Sequence, residues 1–113
     1  MSKRDWHLYI EDILDCIKKI EEYIGQMDCK DLKGDSKTAD AIIRNLEIIG
    51  EASKNIPDPI KGQYSDVPWL DMADLRNRVA HGYFEINLEV VWNIIKGEIP
   101  KLKEQMKYIL ERV

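Results

Sequence analysis

Three things are scarce in this 113-residue chain: positive charge in excess, cysteines at a working spacing, and apolar runs of any length. The formal net charge is -4. A protein that coats nucleic acid over its whole surface needs clustered cations to meet the phosphates, so any such contact here has to be local. The two cysteines, Cys16 and Cys29, show no paired metal-ligand or redox spacing and read as ordinary reduced thiols. No stretch approaches the length of a bilayer-crossing helix, and the start, MSKRDWHLYIEDIL, sets acids inside its apolar run, unlike an export signal. The expected address is the cytoplasm, with no membrane partner. Glycine and proline are also few, six and four, beside a composition 44% hydrophobic and 34% charged, which excludes a disordered chain. A glycine-rich phosphate loop is missing, as is any Asp/His/Cys cluster at metal spacing, so neither a cofactor nor a metal is expected.

What is present is helical periodicity over a length that suits one domain, residues 1–113. From Asp5 to Ile24 the residues Trp6, Tyr9, Ile10, Ile13, Leu14, Ile17, Ile20 and Ile24 recur at intervals of three and four, and Gly25 supplies a stop. Gln26 to Asp35 reads as a loop, with a cap at Asp35 or Ser36 for a second helix running to about Asn55. Gly50 lies inside that helix, where it costs about 1 kcal/mol relative to alanine and marks a close approach by another backbone. NIPDPIKGQYSDVP carries three of the four prolines and reads as a loop with one helical turn near Ile60. Asp66 is placed to cap a third helix from about Val67, with Pro68 in its first turn and Gly82 as terminator. Asn87 is placed to cap a fourth running toward Arg112, kinked or divided at Pro100. Without alternating strand patterns or repeats, the expectation is an all-α antiparallel up-and-down bundle of four to five helices with a proline-kinked last helix.

One segment exceeds the needs of packing. DLRNRVAHGYFEIN, Asp74 to Asn87, concentrates two arginines, a histidine and a tyrosine. On an undisturbed helix Arg76 and Tyr83 lie about 20° from eclipsed while His81 lies about 140° from Arg76, so a straight helix scatters them. A helix ending at His81 and Gly82 lets the turn swing imidazole and phenol toward the Arg76 side. Arg76 offers a fixed fork of donors matched to phosphate, and His81 can carry a proton near neutral pH. Together they suit RNA cleavage without metal: a ribose 2'-hydroxyl attacks the adjacent phosphorus, an imidazole moves protons, and a guanidinium stabilises the accumulating charge. One histidine does not serve both sides of the phosphorus, and His7 is remote, so two subunits contributing one His81 each would complete the chemistry.

The same residues admit structural roles. Arg76 can pair with Asp71, Asp74 or an acid of the first helix, and His81 can cap the carbonyls at a helix end. Arg78 lies on another face, as a solvated charge or a substrate contact, and Tyr83 can be half-buried packing with its hydroxyl at the rim.

The octamer RNRVAHGY, with Arg76, His81 and Tyr83, resembles the signature of the HepT-like proteins, a branch of the HEPN superfamily also called the DUF86 family. AIIRNLEIIGEASKNIP, VPWLDMADLRNRVAHGYFEINLEVVW and IPKLKEQ are similar to family segments in the same order and cover most of the chain. The resemblance implies a homodimeric, metal-independent ribonuclease, with tRNA among its substrates, that acts as the toxin of a type VII toxin-antitoxin pair. It implies Arg76 and His81 as the catalytic pair where two subunits meet, and a minimal nucleotidyltransferase antitoxin, MntA, that transfers AMP from ATP to the Tyr83 hydroxyl. An added phosphodiester there would fill the phosphate pocket and repel RNA. It also raises Arg44, Asn45 and Glu51 as residues that line the cleft or hold Arg76, and Asn77 as an amide toward phosphate or its own backbone. The acidic balance is the departure from what RNA binding suggests. Two other function classes stand beside the toxin: a noncatalytic subunit that gives a nucleotidyltransferase its substrate or nucleotide pocket, and a helical oligomerisation domain with no small-ligand chemistry.

Overall fold

The computed structural model describes residues 4–81 and 85–112, His81 by its backbone alone. The architecture is all-α, with eight helical segments and one two-residue strand pair among the described residues. Helix α1, Trp6–Ile24, is capped by the Asp5 carboxylate, which accepts from the His7 N–H, and it ends at Gly25 with φ 46°, a left-handed conformation that favours glycine. Its apolar stripe buries Ile10, Ile13, Ile17 and Ile20 completely.

Residues 26–35 are not all loop. Helix α2, Cys29–Lys33, forms there because Asp28 and Asp31 complete a reciprocal capping box and Leu32 is fully buried. The sequence shows one apolar residue among polar ones, too little for periodicity to register. Asp35 then caps α3, Ser36–Lys54, whose buried residues include Ile42, Leu46 and Ile49. A Cβ built on Gly50 would lie 3.1 Å from the Met72 carbonyl and 3.5 Å from that of Ala73, which is the close backbone approach the sequence implies. Helix α4, Asp58–Gln63, is the turn expected near Ile60.

The third helix of the sequence reading is two pieces. Helix α5, Trp69–Ala73, and helix α6, Leu75–Val79, meet at Asp74, immediately after the carbonyls that approach Gly50. Asp66 does not cap α5: no side chain does, and the Asp66 carbonyl instead accepts from the Gln105 amide at 3.1 Å. The Trp69 indole N–H anchors the approach by donating to the Tyr64 carbonyl, while Leu70, one position along, is 87% exposed. Helix α6 stops at Val79 rather than at His81, because Ala80 adopts extended backbone (φ -70°, ψ 140°) and begins β1, Ala80–His81. That strand pairs antiparallel with β2, Glu85–Ile86, in the register Ala80 to Ile86 and His81 to Glu85.

The expected last helix divides at Glu98 into α7, Leu88–Gly97, and α8, Ile99–Glu111, with Pro100 in the first turn of α8, where its missing N–H leaves no bond unmade. Helix α1 packs against α3 and α8, while α3 also supports α5 and α6, and α7 reaches α2 and α6. One contiguous apolar cluster joins residues of α1, α3, α5, α6, α7 and α8. Cys16 sits inside it, and burial pushes its thiol up from the ordinary cysteine range.

Candidate active site

Helix α6 is five residues long and carries three polar side chains in succession, Arg76, Asn77 and Arg78, between the buried Leu75 and Val79. They have separate uses. The Asn77 amide donates to the Asp74 carboxylate at 2.8 Å, across the break between α5 and α6. Arg78 forms a two-pronged ion pair with Glu98, Nη1 to Oε1 at 2.9 Å and Nη2 to Oε2 at 2.5 Å. These bonds hold the guanidinium above its already high ordinary pKa. Of the two roles the sequence offers Arg78, a solvated charge or a substrate contact, the ion pair departs from the first. Arg76 is exposed on the same short helix, and among the described residues it takes part in no ion pair.

The chain leaves α6 in a form that fixes its end closely. The Asn87 N–H donates to the Val79 carbonyl at 2.7 Å, while the Asn87 side-chain oxygen accepts from the Glu89 and Val90 N–H groups and caps α7. One residue thus ties the end of α6 to the start of α7, with β1 and β2 between. His81 enters this arrangement through its backbone in β1. Its side chain, and Gly82, Tyr83 and Phe84, which link the two strands, lie outside the described residues, so the positions of the imidazole and of the Tyr83 hydroxyl are not part of this geometry.

The residues raised on α3 separate into two groups. Arg44 and Glu51 lie on an exposed stripe and engage neighbours on their own helix: Arg44 pairs with Glu47 at 3.5 Å, and Glu51 with Lys54 at 3.3 Å. Asn45 is buried, and its amide donates to the Ala41 carbonyl one turn back at 2.9 Å. Helix α3 packs beside α6, yet Asn45 is turned into the bundle rather than toward solvent. At the far amino-terminal end, His7 stacks on Trp6 with ring centroids 3.8 Å apart and meets Asp5 through Nδ1. No group of three or more His, Cys, Asp or Glu side chains suited to a metal ion occurs among the described residues.

Of the two carboxylates that organise the polar face of α6, sequence reasoning did not raise Glu98, and it raised Asp74 as a partner for Arg76, whereas Asp74 accepts from Asn77. Asp74 carried a usable signal, since an acid three residues before an amide on a helix is within reach of it. Glu98 carried a weaker one, a carboxylate at a helix junction two positions before a proline, with nothing to say that its partner lies twenty residues earlier.

Comparison with known proteins agrees with the local motif. No solved structure matches the chain. It is 45% identical over 101 residues to a Thermococcus cleftensis protein named "Probable ribonuclease HepT", covering 89% of this chain and 92% of that one. It is 37% identical over 113 residues to a Methanocaldococcus jannaschii protein provisionally named an RNase, covering 100% and 93%. Another provisionally named RNase, from Caldanaerobacter subterraneus, is 38% identical over 104 residues, covering 92% and 93%. Residues 13–109, from the middle of α1 to the last turn of α8, match the ribonuclease HepT-like family, and the chain belongs to it.

Proposed function

We propose that the protein is a metal-independent endoribonuclease with Arg76 and His81 as its catalytic pair, acting as the toxin of a two-gene toxin-antitoxin system. The observation that carries this reading is the division of labour on α6. Asn77 and Arg78 are engaged by the neighbouring carboxylates Asp74 and Glu98, whereas Arg76 presents an exposed guanidinium five positions before the histidine. Membership of a ribonuclease HepT-like family supports assigning that pair to phosphodiester chemistry.

In the proposed reaction an imidazole accepts the ribose 2'-hydroxyl proton as the 2'-oxygen forms a bond to phosphorus. The 5'-oxygen leaves with a proton, yielding a 2',3'-cyclic phosphate and a free 5'-hydroxyl. Arg76 stabilises the charge on the non-bridging oxygens as it develops, which is where a preorganised donor fork contributes most. Base and acid act on opposite sides of the phosphorus, so a homodimer supplying two copies of His81 completes the set. The net charge of -4 makes the phosphate-facing surface a local one around α6. tRNA is the proposed substrate, and a partner nucleotidyltransferase silences the enzyme by transferring AMP to Tyr83, placing a phosphodiester two residues from His81.

The test is cleavage of RNA by purified protein in EDTA, with His81→Ala and Arg76→Ala alongside. Each substitution is expected to lower the rate by about a thousandfold or more, in line with removal of a charge-stabilising donor or proton carrier. Cleavage that survives His81→Ala overturns the assignment. Incubation with the partner nucleotidyltransferase and ATP should raise the intact mass by one or more AMP units, and Tyr83→Phe should prevent it.

A further inference from the structure

We propose that Arg78 and Glu98 form a positioning pair that sets the orientation of α6 and so aims Arg76 at the scissile phosphate. This rests on the ribonuclease reading of Arg76 and His81. A five-residue helix has almost no stability of its own, so its direction is decided by whatever anchors it. Leu75 and Val79 hold α6 to the core through buried side chains. Asn77 bonds Asp74 at its start and Asn87 holds the Val79 carbonyl at its end, and the side chain that ties it to Glu98, between α7 and α8, is Arg78, which is only 27% exposed and has both terminal nitrogens occupied.

Glu98 is placed for this. It ends α7 and begins α8: its N–H donates to the Ile94 carbonyl at 2.9 Å, and its own carbonyl accepts from the Leu102 N–H at 3.0 Å. Its carboxylate caps neither helix and is given to Arg78 instead. Parallel bonds between guanidinium and carboxylate fix both a distance and a plane, which a single lysine contact does not. Beside the pair lies a cavity of about 190 Å³ with Met72, Leu75, Ile94, Ile99 and Leu102 among its lining, Arg78 and Glu98 included. Arg78 and Glu98 thus form part of the wall of a space between α6 and the α7–α8 junction. Residues two apart on a helix point about 200° from one another, so drawing Arg78 inward turns Arg76 outward.

Steady-state cleavage in EDTA by wild type, Arg78→Ala, Arg78→Lys, Glu98→Gln, the double variant Arg78→Ala with Glu98→Gln, and the reversed pair Arg78→Glu with Glu98→Arg tests this. Arg78→Ala and Glu98→Gln should each lower kcat about tenfold with KM changed by less than about twofold. The double variant should be no worse than either single one, Arg78→Lys should recover part of the rate, and the reversed pair most of it. Loss with Arg78→Ala but not with Glu98→Gln means that Arg78 acts on RNA directly and overturns the proposal, as does a loss confined to KM. Amide hydrogen exchange over residues 75–79 supplies a readout independent of activity: faster exchange in both single variants supports the pair, and unchanged exchange overturns it. A wild-type protein that cleaves no RNA sinks the ribonuclease reading alone, and exchange then decides the pair.

Discussion

The bundle formed by α1, α3 and α8 and the segment from Trp69 to Ile86 are built on opposite plans. The first uses helices of 19, 19 and 13 residues, each burying a continuous apolar stripe. The second breaks into α5, α6, β1 and β2, none longer than five residues. Long helices spread their stabilisation over many side chains, so no single polar contact decides where they lie. The short pieces are set by individual bonds: Trp69 to Tyr64, Asn77 to Asp74, Arg78 to Glu98, Asn87 to Val79. The chemistry proposed for this chain sits on the second plan, where a functional side chain can be aimed by one partner, and the stability sits on the first.

Substitutions can sharpen or break that contrast. The largest change in stability should come from the bundle: Leu46→Ala, at a fully buried position of α3, should cost about 2–5 kcal/mol in urea unfolding while leaving the cleavage rate of the folded protein near that of wild type. A large loss of rate without loss of stability would erase the division. Next comes the crossing where the two plans touch. Gly50→Val pushes side-chain atoms against the Met72 and Ala73 carbonyls and should destabilise by about 2 kcal/mol, lowering stability and cleavage together because α5 leads directly into α6. Gly62→Val, in open space, is the control and should do neither.

The smallest effect should come from the cap of α3. The Thr38 backbone N–H, and then its hydroxyl, hold the Asp35 carboxyl below its ordinary value of 3.8. A carboxylate depressed in the folded state adds stability above its unfolded pKa and loses it as pH falls through the folded one. Asp35→Ala should therefore melt below wild type at neutral pH, with the gap closing as the solution is taken below the usual carboxylate range. A gap that stays constant through that range removes the charge from the account.

The two plans also differ in how far the amino-acid order reveals them. The stripes of α1 and α3, the Gly25 stop, the Asp35 cap and the Gly50 crossing are local or periodic, and they follow from the sequence directly. The break at Asp74 does not, because it depends on where α5 meets α3. Leu70 fits the apolar pattern of a continuous third helix, yet it is almost wholly exposed. Arg78 shows the limit most clearly, since its role is set by a carboxylate from another helix. For Arg76 the residue type and its distance from His81 were enough to raise phosphate chemistry, but which of two neighbouring arginines would face solvent was decided by tertiary contacts.

The packing of α8 against α1 has a consequence during synthesis. The ribosome delivers α1 well before α8, so the face of α1 that α8 covers stays wet on the nascent chain until α8 has emerged. A core that joins α1 to α8 does not close around a half-made polypeptide. The short helix bearing Arg76 is therefore translated before the scaffold that steadies it is complete.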